Sequence, residues 1–277
     1  MKRVQAISLM FLTVGALGVS PSRAFASTIW IGNDTSGLVF HTTTTGVVLG
    51  SFAAPVTGIA FDGLNLFTGG SGGGIQRRTA DGLTILNSLS TSVPGSPTED
   101  LAWDSTRNSL WRIDHNAPVI QQINPTTGAT ISQFSMAGLG STFASPGGLG
   151  IAYNPVADLL YASFCHAGCS SLNEGIVVSV NPTTGVFSTL FTTTGFATGG
   201  LGYDPLTGTL WVGDQTLVRQ LTLGGTVLSS FTRPAGGGFV DGLEVIPDAA
   251  AVPEPSTLLL VGTGIAAALA RKRRRSA

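Results

Sequence analysis

From residue 58 onward, short apolar runs alternate with clusters of Gly, Pro, Asn and Asp at a regular pitch. The runs Gly58-Ile59-Ala60-Phe61-Asp62, Asp100-Leu101-Ala102-Trp103-Asp104, Gly150-Ile151-Ala152-Tyr153-Asn154 and Gly200-Leu201-Gly202-Tyr203-Asp204 each end on an aromatic followed by Asp or Asn. Their aromatics are spaced by 42, 50 and 50 residues. After a turn, each is answered by a run opening Leu-aromatic: Leu66-Phe67, Leu110-Trp111, Leu160-Tyr161 and Leu210-Trp211. Apolar and β-branched runs of this length between turn residues predict strands, so each copy predicts a hairpin. A second hairpin follows each first one, with its turn at Gly46, Gly82, Gly128, Gly185 or Gly225 and a return strand that alternates in polarity.

Four first hairpins stand against five second ones, and the termini resolve the mismatch. Thr28–Asn33 reads as a second strand with no first strand before it, and Gly242–Ile246 as a first strand with nothing after it. Four-strand units repeating every ~40–50 residues are the sequence signature of a β-propeller. The fold class expected is therefore all-β, a five-bladed propeller over residues 27–250. Its blades are 27–54 plus 240–248, 57–92, 98–136, 147–193 and 198–233. Building one blade from both termini closes the ring without exposed edges. A β-solenoid or a stack of independent hairpins is the alternative, but capped ends would leave the split unit without a reason. The repeats resemble the broad NHL, YVTN and quinoprotein-like propeller families, a resemblance that implies shape and no particular activity.

Both ends break the pattern. A basic start (Met1–Arg3), an apolar stretch (Val4–Val19) and Ala24-Phe25-Ala26 follow the order of a secretory signal peptide, residues 1–26, with Ala24 and Ala26 as the cleavage determinants. Signal peptidase and the export machinery are the expected partners there. At the other end, residues 251–277 hold Pro253-Glu254-Pro255-Ser256-Thr257, an apolar run from Leu258 to Ala270, and Arg271-Lys272-Arg273-Arg274-Arg275. As a helix, this run of 13 residues would reach about 20 Å, short of a ~30 Å hydrocarbon core. The five cations would act as a cytoplasmic stop, leaving the body outside the cytoplasm. The tripartite order resembles the PEP-CTERM sorting signal of Gram-negative bacteria. That resemblance implies exosortase as partner, processing near Pro253, Glu254 and Pro255, and transient anchoring in the inner membrane through a short transmembrane helix. It also implies delivery to the cell surface or extracellular space, in company with exopolysaccharide and biofilm matrix. A plain C-terminal anchor with a Pro-rich stalk is the competing reading.

Charge changes the picture once it is divided this way. The chain of 277 residues has a net charge of −1, but residues 27–253 hold six arginines, no lysine and fourteen acids, a net charge of −8. An acidic body cannot neutralise phosphates, so nucleic acid is excluded as a partner. The 38 glycines and 14 prolines suit many short strands joined by turns.

Candidate chemistry is sparse. Asp62, Asp104, Asn154 and Asp204 recur at one position in the repeat and read as turn residues whose side chains accept backbone N–H groups. In a four-stranded meander, the turns between second and third strands share a face with the blade-to-blade links. That face receives Asn33, Asp34, Asp114, His115, His166 and Asp214, with Asp100 and Asp241 at the entry of first strands. Asp114, His115 and Asp214 are the candidate ligand face, for Ca²⁺ or glycan, although no local metal-binding spacing accompanies them. No catalytic residue is assigned and no cofactor is expected apart from such a Ca²⁺. Cys165 and Cys169 predict a disulfide in an exported protein, with zinc held by Cys165, His166 and Cys169 as the alternative. The run Gly69–Gly74 lacks the Lys of a phosphate loop and reads as a flexible turn. The function expected is a non-catalytic binding or structural surface protein. An extracytoplasmic propeller hydrolase or lactonase is the alternative.

Overall fold

The computed structural model describes residues 27–247 apart from 34, 55, 92–96, 118, 141–142, 144–146, 167–170 and 235–237. Its strands are β1 (Ser27–Asn33), β2 (Leu38–Thr43), β3 (Val48–Ala53), β4 (Ile59–Phe61), β5 (Asn65–Gly69), β6 (Ile75–Thr79), β7 (Ile85–Leu89), β8 (Thr98–Asp104), β9 (Ser109–Asp114) and β10 (Val119–Ile123). They continue with β11 (Thr130–Ser135), β12 (Gly148–Asn154), β13 (Leu159–His166), β14 (Ser171–Val180), β15 (Phe187–Thr194), β16 (Leu201–Asp204), β17 (Thr209–Gly213), β18 (Leu217–Leu221), β19 (Val227–Thr232) and β20 (Gly242–Pro247). A single 3₁₀ turn, Ala137–Leu139, is the one helical element among the described residues.

Five four-stranded antiparallel sheets result, and four of them are simple meanders. The fifth has the order β20-β1-β2-β3, so the last strand pairs with the first, with Ser27 opposite Pro247 and Gly32 opposite Gly242. The innermost strands β20, β4, β8, β12 and β16 contact one another in a closed cycle. This is a five-bladed propeller, with blade 1 shared between the termini as the split repeat predicts. The expected signal peptide, residues 1–26, and the expected short transmembrane helix within 251–277 lie outside the described residues, and among the described residues no helix is long and apolar enough to cross a membrane.

Burial follows strand position. Second strands are buried along their whole length in β5, β9 and β17, because both faces pack against neighbouring blades. The outer strands β3, β7 and β19 are exposed except for one residue each, Phe52, Leu89 and Phe231. That residue meets the turn of the next blade: a Cβ on Gly82 would lie 2.2 Å from the Phe52 ring, on Gly185 2.4 Å from Phe134, on Gly225 2.7 Å from Phe191, and on Gly46 2.6 Å from Phe231. The last contact, blade 5 onto blade 1, closes the outer rim. These glycines also have positive φ, between 71° and 84°, which an L side chain adopts only at a cost. After each of these turns the outer strand carries a β-bulge, in all five blades, with Leu49, Leu86, Ile131, Leu190 and Leu228 as the extra residues, and the extra residue adds the local twist a blade needs.

The repeated Asp and Asn residues behave as turn residues. Asp62 Oδ1 accepts the N–H of Leu64 and Asn65, Asp104 that of Thr106 and Arg107, Asn154 that of Val156 and Ala157, and Asp204 that of Leu206. The repeated aromatics pack between blades. Trp103 stacks on Phe67 of blade 2 at 6.0 Å between centroids, and Tyr203 lies 5.6 Å from Tyr161 of blade 4.

Candidate functional site

The face carrying the blade-to-blade links is built from the ends of second strands and the starts of first strands, as the register Thr98 opposite Asp114 shows. At its centre, the first strands enter through Gly58, Asp100, Gly150, Gly200 and Gly242, one position repeated five times. Glycine is needed there because the blades converge. A Cβ on Gly58 would sit 2.8 Å from the Asp100 Cα, and one on Gly242 would sit 3.0 Å from the Gly58 Cα. The ring has room for one side chain, and Asp100 supplies it.

The Asp100 carboxylate is fully buried and gathers four blades. Its Oδ1 accepts N–H bonds from Leu101 at 2.8 Å and Ile59 at 3.3 Å, and its Oδ2 from Leu201 at 3.1 Å and Ile151 at 3.2 Å. Burial pushes this carboxyl well above the ordinary carboxylate range, even against the opposing pull of the four N–H donors. With two N–H groups aimed at each oxygen, the geometry offers no acceptor for a carboxyl proton. A buried anion made tolerable by converging amides is the same device that binds external anions in backbone nests, used here internally to join the blades.

The sequence places Asp100 on this face without distinguishing it from the other acids there. The signal was available in the repeat, since Asp100 is the one departure from glycine at that position. Nothing in the sequence distinguishes Arg112. It is fully buried in β9, donating from Nη2 to Asp114 Oδ2 at 2.9 Å and from Nη1 to Thr91 Oγ1 at 3.1 Å. Burial lowers its pKa, against the pull of Asp114.

The three residues of the candidate ligand face have separate partners. Asp114 is buried, with Oδ1 taken by the N–H groups of Asn116 and Ala117 and Oδ2 by Arg112. His115 is half-buried, with Nδ1 3.4 Å from the Gly148 carbonyl of blade 4. Asp214, in blade 5, accepts from Thr216 and Leu217 N–H through Oδ1 and pairs with Arg219 through Oδ2. Burial pushes the Asp214 carboxyl up, but these amides and Arg219 outweigh it and hold the group below its ordinary value. Both aspartates are thus turn-forming and ion-paired at once. Among the described residues no group of three or more His, Cys, Asp and Glu side chains is placed to hold a metal.

Cys165, at the end of β13, is disulfide-bonded, and Cys169 lies outside the described residues. The neighbouring His166 approaches Glu174 with 3.5 Å between Nε2 and Oε2. His41, inside β2, stacks on Trp30 at 4.4 Å with an interplanar angle of 8°, in keeping with a strand residue rather than a base.

Comparison with known proteins adds to both parts of the chain. Residues 251–275 match the model of the PEP-CTERM protein-sorting motif. No curated protein matches the sequence. The structure is similar to a chain of a crystallised nidogen/laminin complex, with a TM-score of 0.53 and 12% identity, over 79% of this chain and 98% of that one. It is also similar to the crystal structure of Myxococcus xanthus glutaminyl cyclase, with a TM-score of 0.49 and 11% identity, over 74% of each chain. At 12% identity the first of these likenesses shows the fold alone. A PEP-CTERM motif implies an exported protein sorted by exosortase through a membrane-anchored precursor, and this chain carries that motif at residues 251–275, directly after a five-bladed β-propeller.

Proposed function

We propose that the propeller is a non-catalytic binding or structural protein of the cell surface or extracellular matrix of a Gram-negative bacterium, in contact with exopolysaccharide. Residues 1–26 direct export and are removed after Ala26 by signal peptidase. The apolar run 258–270 and the cluster Arg271, Lys272, Arg273, Arg274 and Arg275 hold the precursor in the inner membrane. Exosortase then processes the chain near Pro253, Glu254 and Pro255, and the two prolines present that segment as an extended chain outside the bilayer. The observation that carries the reading is the motif at residues 251–275 placed directly behind a closed propeller.

The non-catalytic part is supported by Asp114 and Asp214, whose oxygens are taken up by backbone amides and arginines. Export is supported by the disulfide-bonded Cys165, since disulfides persist in oxidising compartments. Its partner in this reading is Cys169, closing a short loop beside β13. Mass spectrometry after alkylation with and without prior reduction checks that pairing, and two alkyl groups gained without reduction would remove it. The sorting reading is tested by intact mass of the protein from cells with and without exosortase. Cleavage near residue 253 should require the enzyme and be lost in Glu254→Ala. A mass unchanged by exosortase would reduce the tail to a simple anchor.

A further inference from the structure

A cavity of about 470 Å³ lies between the outer strands of blades 1 and 2, beneath the β5–β6 turn, within the ~300–1,000 Å³ range of small-molecule sites. One wall is the glycine-rich run, with Gly70, Gly72 and Gly74 presenting main chain. Another carries the hydroxyls of Ser88 and Ser90, and Thr68 and Arg78 complete the polar lining. The run read from sequence as a plain flexible turn thus forms part of the cavity wall.

Arg78 makes the cavity unusual. It is 7% exposed, yet its guanidinium has only neutral acceptors: Nε donates to Thr68 Oγ1 at 3.2 Å, Nη1 to the Gly82 carbonyl at 2.9 Å and Nη2 to Gln76 Oε1 at 2.6 Å. The Phe52 ring, 5.2 Å away, backs it. The described ion pairs involve Arg107, Arg112, Arg219 and His166, and none reaches Arg78. Buried charges are ordinarily paired. A guanidinium has five N–H donors, so two remain beyond the three in use. Arg112 and Arg219, the other well-buried arginines, each have an aspartate of their own. Arg78 has a cavity where a carboxylate would be.

We propose that this inter-blade cavity binds a small polyhydroxylated carboxylate, the chemistry of a sugar acid, with Arg78 taking the carboxylate and Thr68, Ser88, Ser90 and the glycine main chain taking hydroxyls. A guanidinium is matched in shape to a carboxylate, and the apolar part of the lining, Ala53, Ala54, Val56, Ile75 and Leu89, offers surface for the C–H faces of a sugar ring. The proposal deepens the binding reading above by giving it a place and a ligand class, and it is independent of how the tail is processed.

The test is calorimetric titration of the full-length chain in detergent with glucuronate, glucose and inorganic phosphate as separate probes. Saturable glucuronate binding, at least tenfold tighter than glucose, is expected. It should fall at least tenfold in Arg78→Gln and in the double variant Ser88→Ala/Ser90→Ala. The second variant removes two of the proposed hydroxyl contacts and leaves Arg78 in place, so it remains informative if Arg78→Gln fails to fold. Equal binding of glucose and glucuronate, binding of phosphate alone, no binding of any probe, or glucuronate binding unaffected by the serine double variant would each overturn the proposal. Binding of an acidic exopolysaccharide with no binding of glucuronate would overturn the cavity assignment while leaving the surface-protein reading intact.

Discussion

Replacing Asp100 by Asn tests whether one buried carboxylate holds the propeller's axis together. The side chain keeps its shape, so the change is confined to hydrogen-bonding character. In the native protein two N–H groups point at each oxygen, from Leu101 and Ile59 on one side and Leu201 and Ile151 on the other. An amide retains one acceptor and turns the other position into a donor, leaving two buried N–H groups facing N–H. Each unsatisfied buried donor costs about 1–3 kcal/mol, giving a loss of about 2–6 kcal/mol. Against a domain stability of ~5–15 kcal/mol the effect is large. Urea unfolding followed by tryptophan fluorescence measures it, since the four tryptophans are distributed over blades 1, 3 and 5. A loss below about 1 kcal/mol would refute the reasoning, because it would mean that the carboxyl is neutral in the native state or that the amides find other partners.

Other substitutions probe separate parts of the same logic. Gly46→Ala combines a φ of 84° with a Cβ 2.6 Å from the Phe231 ring, at the rim contact that closes the circle. It should cost about 1–3 kcal/mol in the same unfolding assay, with native-like stability as the contrary result. Arg112→Met leaves Asp114 buried without its cation and should cost about 3–5 kcal/mol, measured as a shift in urea midpoint. Glu244, on β20 and bonded to the Phe61 amide, has its pKa raised by burial to about 8. The native carboxyl therefore keeps its proton to higher pH than the unfolded one. Its contribution is fully present below pH ~4.5 and is lost as pH rises toward ~8, at about 1.4 kcal/mol per pH unit. The stability difference between wild type and Glu244→Gln should grow with that slope from pH 5 to 8, and a constant difference would contradict it. Finally, a protein trimmed at both ends carries the body's net charge of −8 and should focus well below the whole-chain isoelectric point of about 6.3. Focusing near that value would argue against processing.

The architecture was legible because a propeller writes itself into sequence as a repeat, and because the missing strands at the two ends complemented each other. Turn residues such as Asp104 and Asn154 were legible for the same reason: their role is local and recurs in every blade. What escaped is what depends on packing between blades. Phe52, Phe134, Phe191 and Phe231 look like ordinary alternating strand residues until the next blade's glycine is seen beneath each ring. Asp114 and Asp214 stand in the sequence as acids on a loop face, and nothing local shows that Arg112, two residues away, and Arg219, five residues away, turn inward to meet them. Arg78 escaped for the opposite reason, since an absent counter-charge leaves no trace in a sequence.

Topology also constrains how the anchored precursor sits. Ser27 pairs with Pro247, so both ends of the propeller emerge at the edge opposite the Asp100 face, where Gly32 pairs with Gly242. Ten residues, 248–257, separate β20 from the apolar run that begins at Leu258. Fully extended, they span at most about 36 Å. In a membrane-held precursor the propeller is therefore kept within about 36 Å of the bilayer. The β5–β6 turn beside the Arg78 cavity lies on the face of blade-to-blade links, opposite the Ser27 and Pro247 edge. Closure of blade 1 has to wait for β20, the last strand to be exported, and ten residues of slack are enough for it to reach β1 while the tail remains anchored. Deleting five residues from 248–252 shortens that reach to about 18 Å. Protease resistance of the propeller while it is still membrane-held should then fall, whereas resistance after release should not. Equal resistance in both forms would show that closure does not depend on the tether.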